Sequence, residues 1–222
     1  MSLLWDARWT LLQATLTTAT LFVLASGLAL VLSLFLGVAR LSSRKWLSWT
    51  ALLVGETGRG VSLVVQLFWI FFVLPLFGVT LSATTAAVLA LGVCFGAYGS
   101  EIVRASLLAI PRGQREAAEA LGLSRLRVLA LVELPQAFVI MLPPLGNFLV
   151  LILKSTSVTA LITVPELAFT ASALNSNFGA NIAVFGYVLI AYYAIARLVL
   201  WGTRRLELRL ASQGIVGTAR TQ

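Results

Sequence analysis

Apolar residues run along this chain in long unbroken stretches separated by short clusters of charge. Residues 9–39 carry no charged side chain, and Arg40, Arg44 and Lys45 follow directly. The runs are continuous, whereas a membrane β-barrel alternates apolar and polar at every second position. Lipid offers the backbone no hydrogen-bond partner, so continuous runs of this length must be helices. The pattern predicts an all-α, polytopic membrane protein. Its first span is expected over residues 11–38, too long for the core of a signal peptide and expected to stay in the protein. Residues 60–100 are uncharged and too many for one helix; PLFGVTLSATT at 75–85 supplies the turn residues that divide them. A second span is therefore expected at 53–76 and a third at 83–103. A fourth is expected at 134–153, interrupted by Pro143 and Pro144, and a fifth at 182–201. Residues 155–178 mix polar and apolar positions and stay unassigned. One transmembrane domain, 1–222, is expected, without internal repeats.

Composition agrees with this class. Hydrophobic residues make up 59% of the 222 and charged residues 11%, well below the roughly one quarter of a soluble domain. Sixteen basic residues stand against eight acidic ones. In a membrane chain that excess gathers in cytoplasmic loops, so it marks topology and not nucleic-acid binding. Arg40, Arg44, Lys45 and Arg59 fall in one loop, and Arg104, Arg112, Arg115, Arg125 and Arg127 in another. Arg204, Arg205 and Arg209 close the last span, and the turn at 77–84 has no charge. The rule places the N-terminus outside and the C-terminus in the cytoplasm, a parity that five spans satisfy. The lone Cys94 excludes an intrachain disulfide, and the absence of histidine removes the commonest general base and zinc ligand. With one aspartate, Asp6, near the N-terminus, an intramembrane enzyme has no catalytic constellation. A secondary transporter predicts paired broken helices or inverted repeats, and neither is visible.

The stretch REAAEALGLSRLRVLALVELPQA, residues 115–137, carries six charges in the middle of this apolar chain. It lies in a cytoplasmic loop expected at 104–133. It reads as a short helix stopped at Gly122, the residue type that tolerates a left-handed position after a helix. Ser124 has the chemistry to cap a second helix. Glu116 and Glu119 are expected near the positive end of the first helix. Ala117, Ala118 and Ala120 keep it slim enough for close approach to another protein. From composition alone an amphipathic helix on the membrane surface accounts for it better.

The residue order goes further. Glu116-Ala117-Ala118, then Gly122, Val132, Leu134 and Pro135 resemble the EAA signature of ABC importer permeases, with Val132 where the family usually has isoleucine. The segments GRGVSLVVQLFWIFFVLP, GAYGSEIVRASLLAIPRGQREAA and LPPLGNFLVLILKSTSV extend the resemblance to the polar amino-acid, glutamine, histidine and opine branch. Ser62, where that branch usually has proline, and Ser155, where an acidic residue is common, together with QLFWIFFVLPLFGV, resemble permeases for ectoine and hydroxyectoine. The resemblance implies a type I importer fold in the bacterial cytoplasmic (inner) membrane. It implies that Glu116, Ala117, Ala118 and Gly122 form a coupling helix held by an ATP-binding subunit. The implied partners are two ATP-binding subunits, a second permease chain, identical or homologous, and an extracytoplasmic solute-binding protein. ATP and magnesium would belong to the ATP-binding subunit. This chain has no P-loop: its lysines are Lys45 and Lys154, and the residues before Lys154-Ser155 contain no phosphate-cradling glycine run.

Candidates for the substrate path are Gln66, Asn147, Lys154, Ser155, Thr156, Ser157 and Glu166, since polar groups within spans are costly and call for a reason. Thr159 completes the KSTSVT cluster. A zwitterionic solute needs both signs of charge or equivalent hydrogen bonds. Against this, Lys154 could snorkel toward headgroups and Gln66 or Asn147 could bond a neighbouring helix. Glu101 with Arg104, and Glu56 with Arg59, have the spacing of pairs on one helix face. Gly92, Gly96 and Gly99 are spaced for close helix packing.

Overall fold

A computed structural model describes residues 7–178 and 181–211, and every regular element among them is helical. Asp6 lies outside the described residues. Helix α1, Arg8–Arg40, has 33 residues. At 1.5 Å per residue it is about 50 Å long, more than the roughly 30 Å of a hydrocarbon core. Thr15, Thr17 and Thr20 return their hydroxyls to carbonyls one turn back at 2.8–3.0 Å, which keeps polar side chains satisfied on an apolar helix.

The expected second span is bent. Helix α2, Lys45–Gly60, ends at an extended Val61, and α3, Leu63–Phe68, continues as a π turn over Trp69–Val73 and a 3-10 turn over Leu74–Phe77. The two halves meet at 101°. Gln66 makes the break tolerable: its amide nitrogen donates to the carbonyls of Gly58 at 2.8 Å and Val61 at 3.0 Å, which the ended helix leaves without donors. Gly78, at φ 83°, then turns the chain, and Ser82 caps α4, Ala83–Leu108, by accepting from the Thr85 amide at 3.2 Å. This helix outruns the expected third span by a turn.

The fourth span also grows. Helix α5, Arg112–Ala120, and the short α6, Arg125–Val128, lead through a π turn, Leu129–Glu133, into α7, Leu134–Ser155. The sequence Arg125–Ile162 is one long apolar rod, closed by a 3-10 turn over Thr156–Ile162. Pro143 and Pro144 do not interrupt it. They lie inside α7 on its exposed side, where the two missing N–H groups and the ring cost the helix hydrogen bonds but not its course. The unassigned residues become this 3-10 turn and α8, Leu167–Phe178, and the last span is α9, Asn181–Ala211. Among the described residues four helices are long and apolar enough to cross a membrane, and the α2–α3 pair makes a fifth if it counts as one span.

The core lies where α1, α4 and α7 meet, built from Phe22, Ala25, Ala29, Leu91, Phe95, Phe148, Ile152 and Leu153. Glycines on α4 let α1 in. A Cβ on Gly96 would lie 2.7 Å from the Leu32 Cβ, and Gly92 and Gly99 face Leu28 and Ser33 with no more room. Such close approach substitutes for hydrophobic driving force, which is absent between helices in lipid. Helix α9 packs on α7 and α8 but leaves Leu189, Ile190, Tyr193, Leu198 and Trp201 exposed.

Candidate docking loop and translocation face

Helix α5 ends as the sequence predicts. Gly122 has φ 80°; its amide donates to the Glu119 carbonyl at 2.9 Å, and the Leu123 amide reaches back to Ala118 at 3.2 Å. This is the paired bond pattern of a left-handed helix stop, in which a side chain at Gly122 would be strained although space is open around it. Ser124 stands at the capping position with extended backbone, yet its hydroxyl makes no cap bond. Glu116 sits mid-helix and Glu119 in the last turn, so neither is at the positive end.

The four proposed docking residues do not share one environment. Glu116 and Ala117 are exposed and Gly122 sits in the open turn, whereas Ala118 is 5% exposed and faces its own chain. Leu121 (83% exposed) and Leu126 flank the turn as bare apolar side chains. Sequence reasoning passed over Glu133. It is 5% exposed, and its Oε1 accepts from Arg115 Nε at 2.6 Å. The signal was a single carboxylate inside an otherwise apolar run.

A second charge cluster lies near the loop. Glu101 accepts from Arg104 on its own helix at 2.9 Å, as the spacing predicts, and also from Arg59 of α2 at 2.9 Å and from Arg40 of α1. Arg59 additionally binds Glu56 at 2.6 Å. One carboxylate thus ties three helices together.

The path candidates divide in two. On α7, Pro143, Pro144, Asn147, Leu151 and Lys154 are exposed at spacings of three, four and seven, which places Asn147 and Lys154 on one open face. Ser155 is half-buried, and the Ser157 hydroxyl turns to the Lys154 carbonyl at 2.8 Å. Thr156 and Thr159 are buried and bond to carbonyls of their own turn. Glu166 is fully buried. Its carboxylate accepts from the Phe169 amide at 2.7 Å, capping α8, and from the Tyr192 hydroxyl at 3.0 Å. Lys154 and Glu166 form no ion pair with each other. Gln66 is committed to the α2–α3 break.

Known proteins match this architecture along most of its length. Residues 29–212 match the model of the binding-protein-dependent transport system inner membrane component family. A probable amino-acid ABC transporter permease of Sinorhizobium fredii is 39% identical, over 80% of this chain and 77% of its own. The L-cystine transport system permease of Bacillus subtilis is 36% identical over 87% and 83%. The glutamine transport system permease of Escherichia coli is 35% identical over 93% and 97%. An amino acid ABC transporter solved with histidines superposes at TM-score 0.83 and 29% identity, over 92% of this chain and 95% of that one. The inward-facing methionine ABC transporter, at TM-score 0.82 and 19% identity over 92% and 98%, shares the fold. The chain belongs to the family of binding-protein-dependent transport system inner membrane components, as a multi-pass ABC transporter permease and not an enzyme.

Proposed function

We propose that this chain lines the translocation path of an ATP-driven importer for a small polar or zwitterionic solute, an amino acid or amino-acid derivative. The observation that carries the reading is the α5 turn. A short helix is fixed by its own left-handed stop and presents Glu116, Ala117 and Leu121 outward while Ala118 holds it to the chain. An ATP-binding subunit gripping this helix would bias the permease between outward-open and inward-open states through different contacts in each. Two such subunits, a second permease chain and an extracytoplasmic binding protein complete the assembly in this reading, with the N-terminus outside and the C-terminus cytoplasmic. ATP and magnesium belong to the ATP-binding subunit.

The substrate class rests on relatives whose names specify amino acids, glutamine and L-cystine. It rests also on the exposed α7 face with Asn147 and Lys154, where a cation is favoured only if it meets water, solute or a partner. Lys154 would meet a solute carboxylate. Glu166 is already satisfied by an amide and a tyrosine, which leaves Lys154 as the charge open to the solute. Ser62 and Ser155 favour ectoine-type compatible solutes as the alternative within the same importer class.

The test uses the complex reconstituted with its ATP-binding subunit and binding protein. ATP hydrolysis is measured with glutamine, arginine, cystine, an opine and ectoine. Stimulation by one of them is expected. No stimulation by any zwitterion would overturn the substrate class.

A further inference from the structure

We infer that the Arg115–Glu133 ion pair is the strut through which movement of α5 reaches the long Arg125–Ile162 span, an inference that rests on the docking reading above. Glu133 ends the π turn Leu129–Glu133, immediately before α7 begins, and its side chain is almost wholly buried. Arg115 comes from the middle of α5, eighteen positions earlier, and directs both Nε and Nη2 at the same carboxylate oxygen. Two donors of one rigid guanidinium fix an angle as well as a distance, which a lysine cannot do. The helix also packs toward residues 125–133, and its one buried side chain, the Ala118 methyl, can make no directional bond. The backbone between the partners passes through the Gly122 turn. The ion pair is therefore the directional link that makes α5 and the root of the span one body.

Its location adds a reason for the link. π turns are rare and concentrate at functional positions, and here one lies where the span leaves the loop. A push on α5 enters the span at that wide turn through a buried charge. Removing Arg115, itself half-exposed, would leave the buried Glu133 carboxylate without its counter-charge, so the contact is not one the chain gives up easily. Glu133 and Arg115 are positioning residues in this account, and neither need touch the solute.

The test follows α5 and the span separately in the reconstituted complex, on a Cys94→Ala background. A bimane probe is placed at Gln114→Cys on α5 or at Leu151→Cys on the exposed face of α7, and Mg-ATP with vanadate is added. In the wild-type pair both probes are expected to respond. In Glu133→Gln and in Arg115→Gln the α5 probe keeps its response while that at 151 falls by about tenfold, within the usual range of coupling factors. The double variant falls no further, and Arg115→Lys, keeping charge without the fork, is intermediate. A full response at 151 in both single variants would overturn the strut and leave the docking reading standing. An α5 probe silent in the wild-type complex would overturn the docking reading itself, and the strut with it.

Discussion

Residues 112–133 and residues 154–166 both place polar groups in an apolar chain, and they handle them in opposite directions. In the first, Glu116, Arg112, Gln114 and Glu119 point outward, and the buried charge of Glu133 is matched by Arg115. In the second, Thr156, Ser157, Thr159 and Glu166 turn to carbonyls, an amide and a tyrosine of their own chain, and Lys154 is exposed. The difference teaches which polarity awaits a partner. A polar side chain whose bonds are all met inside the chain supports the fold, and one left outward on a rigid element is free for recognition.

The sharpest way to break this contrast is at Gly122. Its φ of 80° cannot be adopted by proline, whose ring holds φ near −65°. Gly122→Pro should abolish uptake in proteoliposomes while the chain still inserts, and normal uptake would remove α5 from the mechanism. Glu166 stands at the opposite pole. Glu166→Ala orphans the Phe169 amide, at about 1–3 kcal/mol for a buried group left unsatisfied, and leaves the Tyr192 hydroxyl with Thr156 alone. It should lower the thermal midpoint of the purified chain, and Glu166→Gln, which keeps an acceptor, should restore most of the loss. An unchanged midpoint in the alanine variant would mean that the carboxylate is not a cap. Gly96→Val tests the frame both regions share. The added methyls meet Leu32, and overpacking of this kind costs about 1–3 kcal/mol, read in the same melt. The smallest effect on stability is expected at Lys154. Lys154→Ala should change stability by no more than about 0.5 kcal/mol, as for other exposed sites, while weakening solute-stimulated hydrolysis. Equal loss of both would place Lys154 with the supporting group.

Much of this architecture was legible as unbroken apolar length, because lipid leaves a continuous run no other backbone solution. The Gly122 stop was legible for a similar reason: few residue types tolerate that conformation. Direction was not. Apolar continuity across residues 53–76 carries no information about the 101° turn at Val61, although Gly58, Gly60 and Ser62 mark a weak point there. Pro143 and Pro144 looked like a break, but the helix absorbs them on its open side. Pairings across distance were the least visible. Glu101 and Arg104 could be matched from their spacing, whereas Arg40 and Arg59 arrive from other helices. Asn147 and Lys154 come to share one face only once the helix runs unbroken between them. Ala118 looked equivalent to Ala117 as a small residue, and one helical step separates the inward side from the outward one.

The central claim is that residues 112–122, and not the opposite end of the molecule, meet the ATP-binding subunit. A single cysteine on the Cys94→Ala background tests it directly. Placed at the exposed Ala117, it should cross-link to the ATP-binding subunit in the assembled complex, and a cysteine at Thr17 on α1 should not. Cross-linking at 17 with none at 117 would contradict the account.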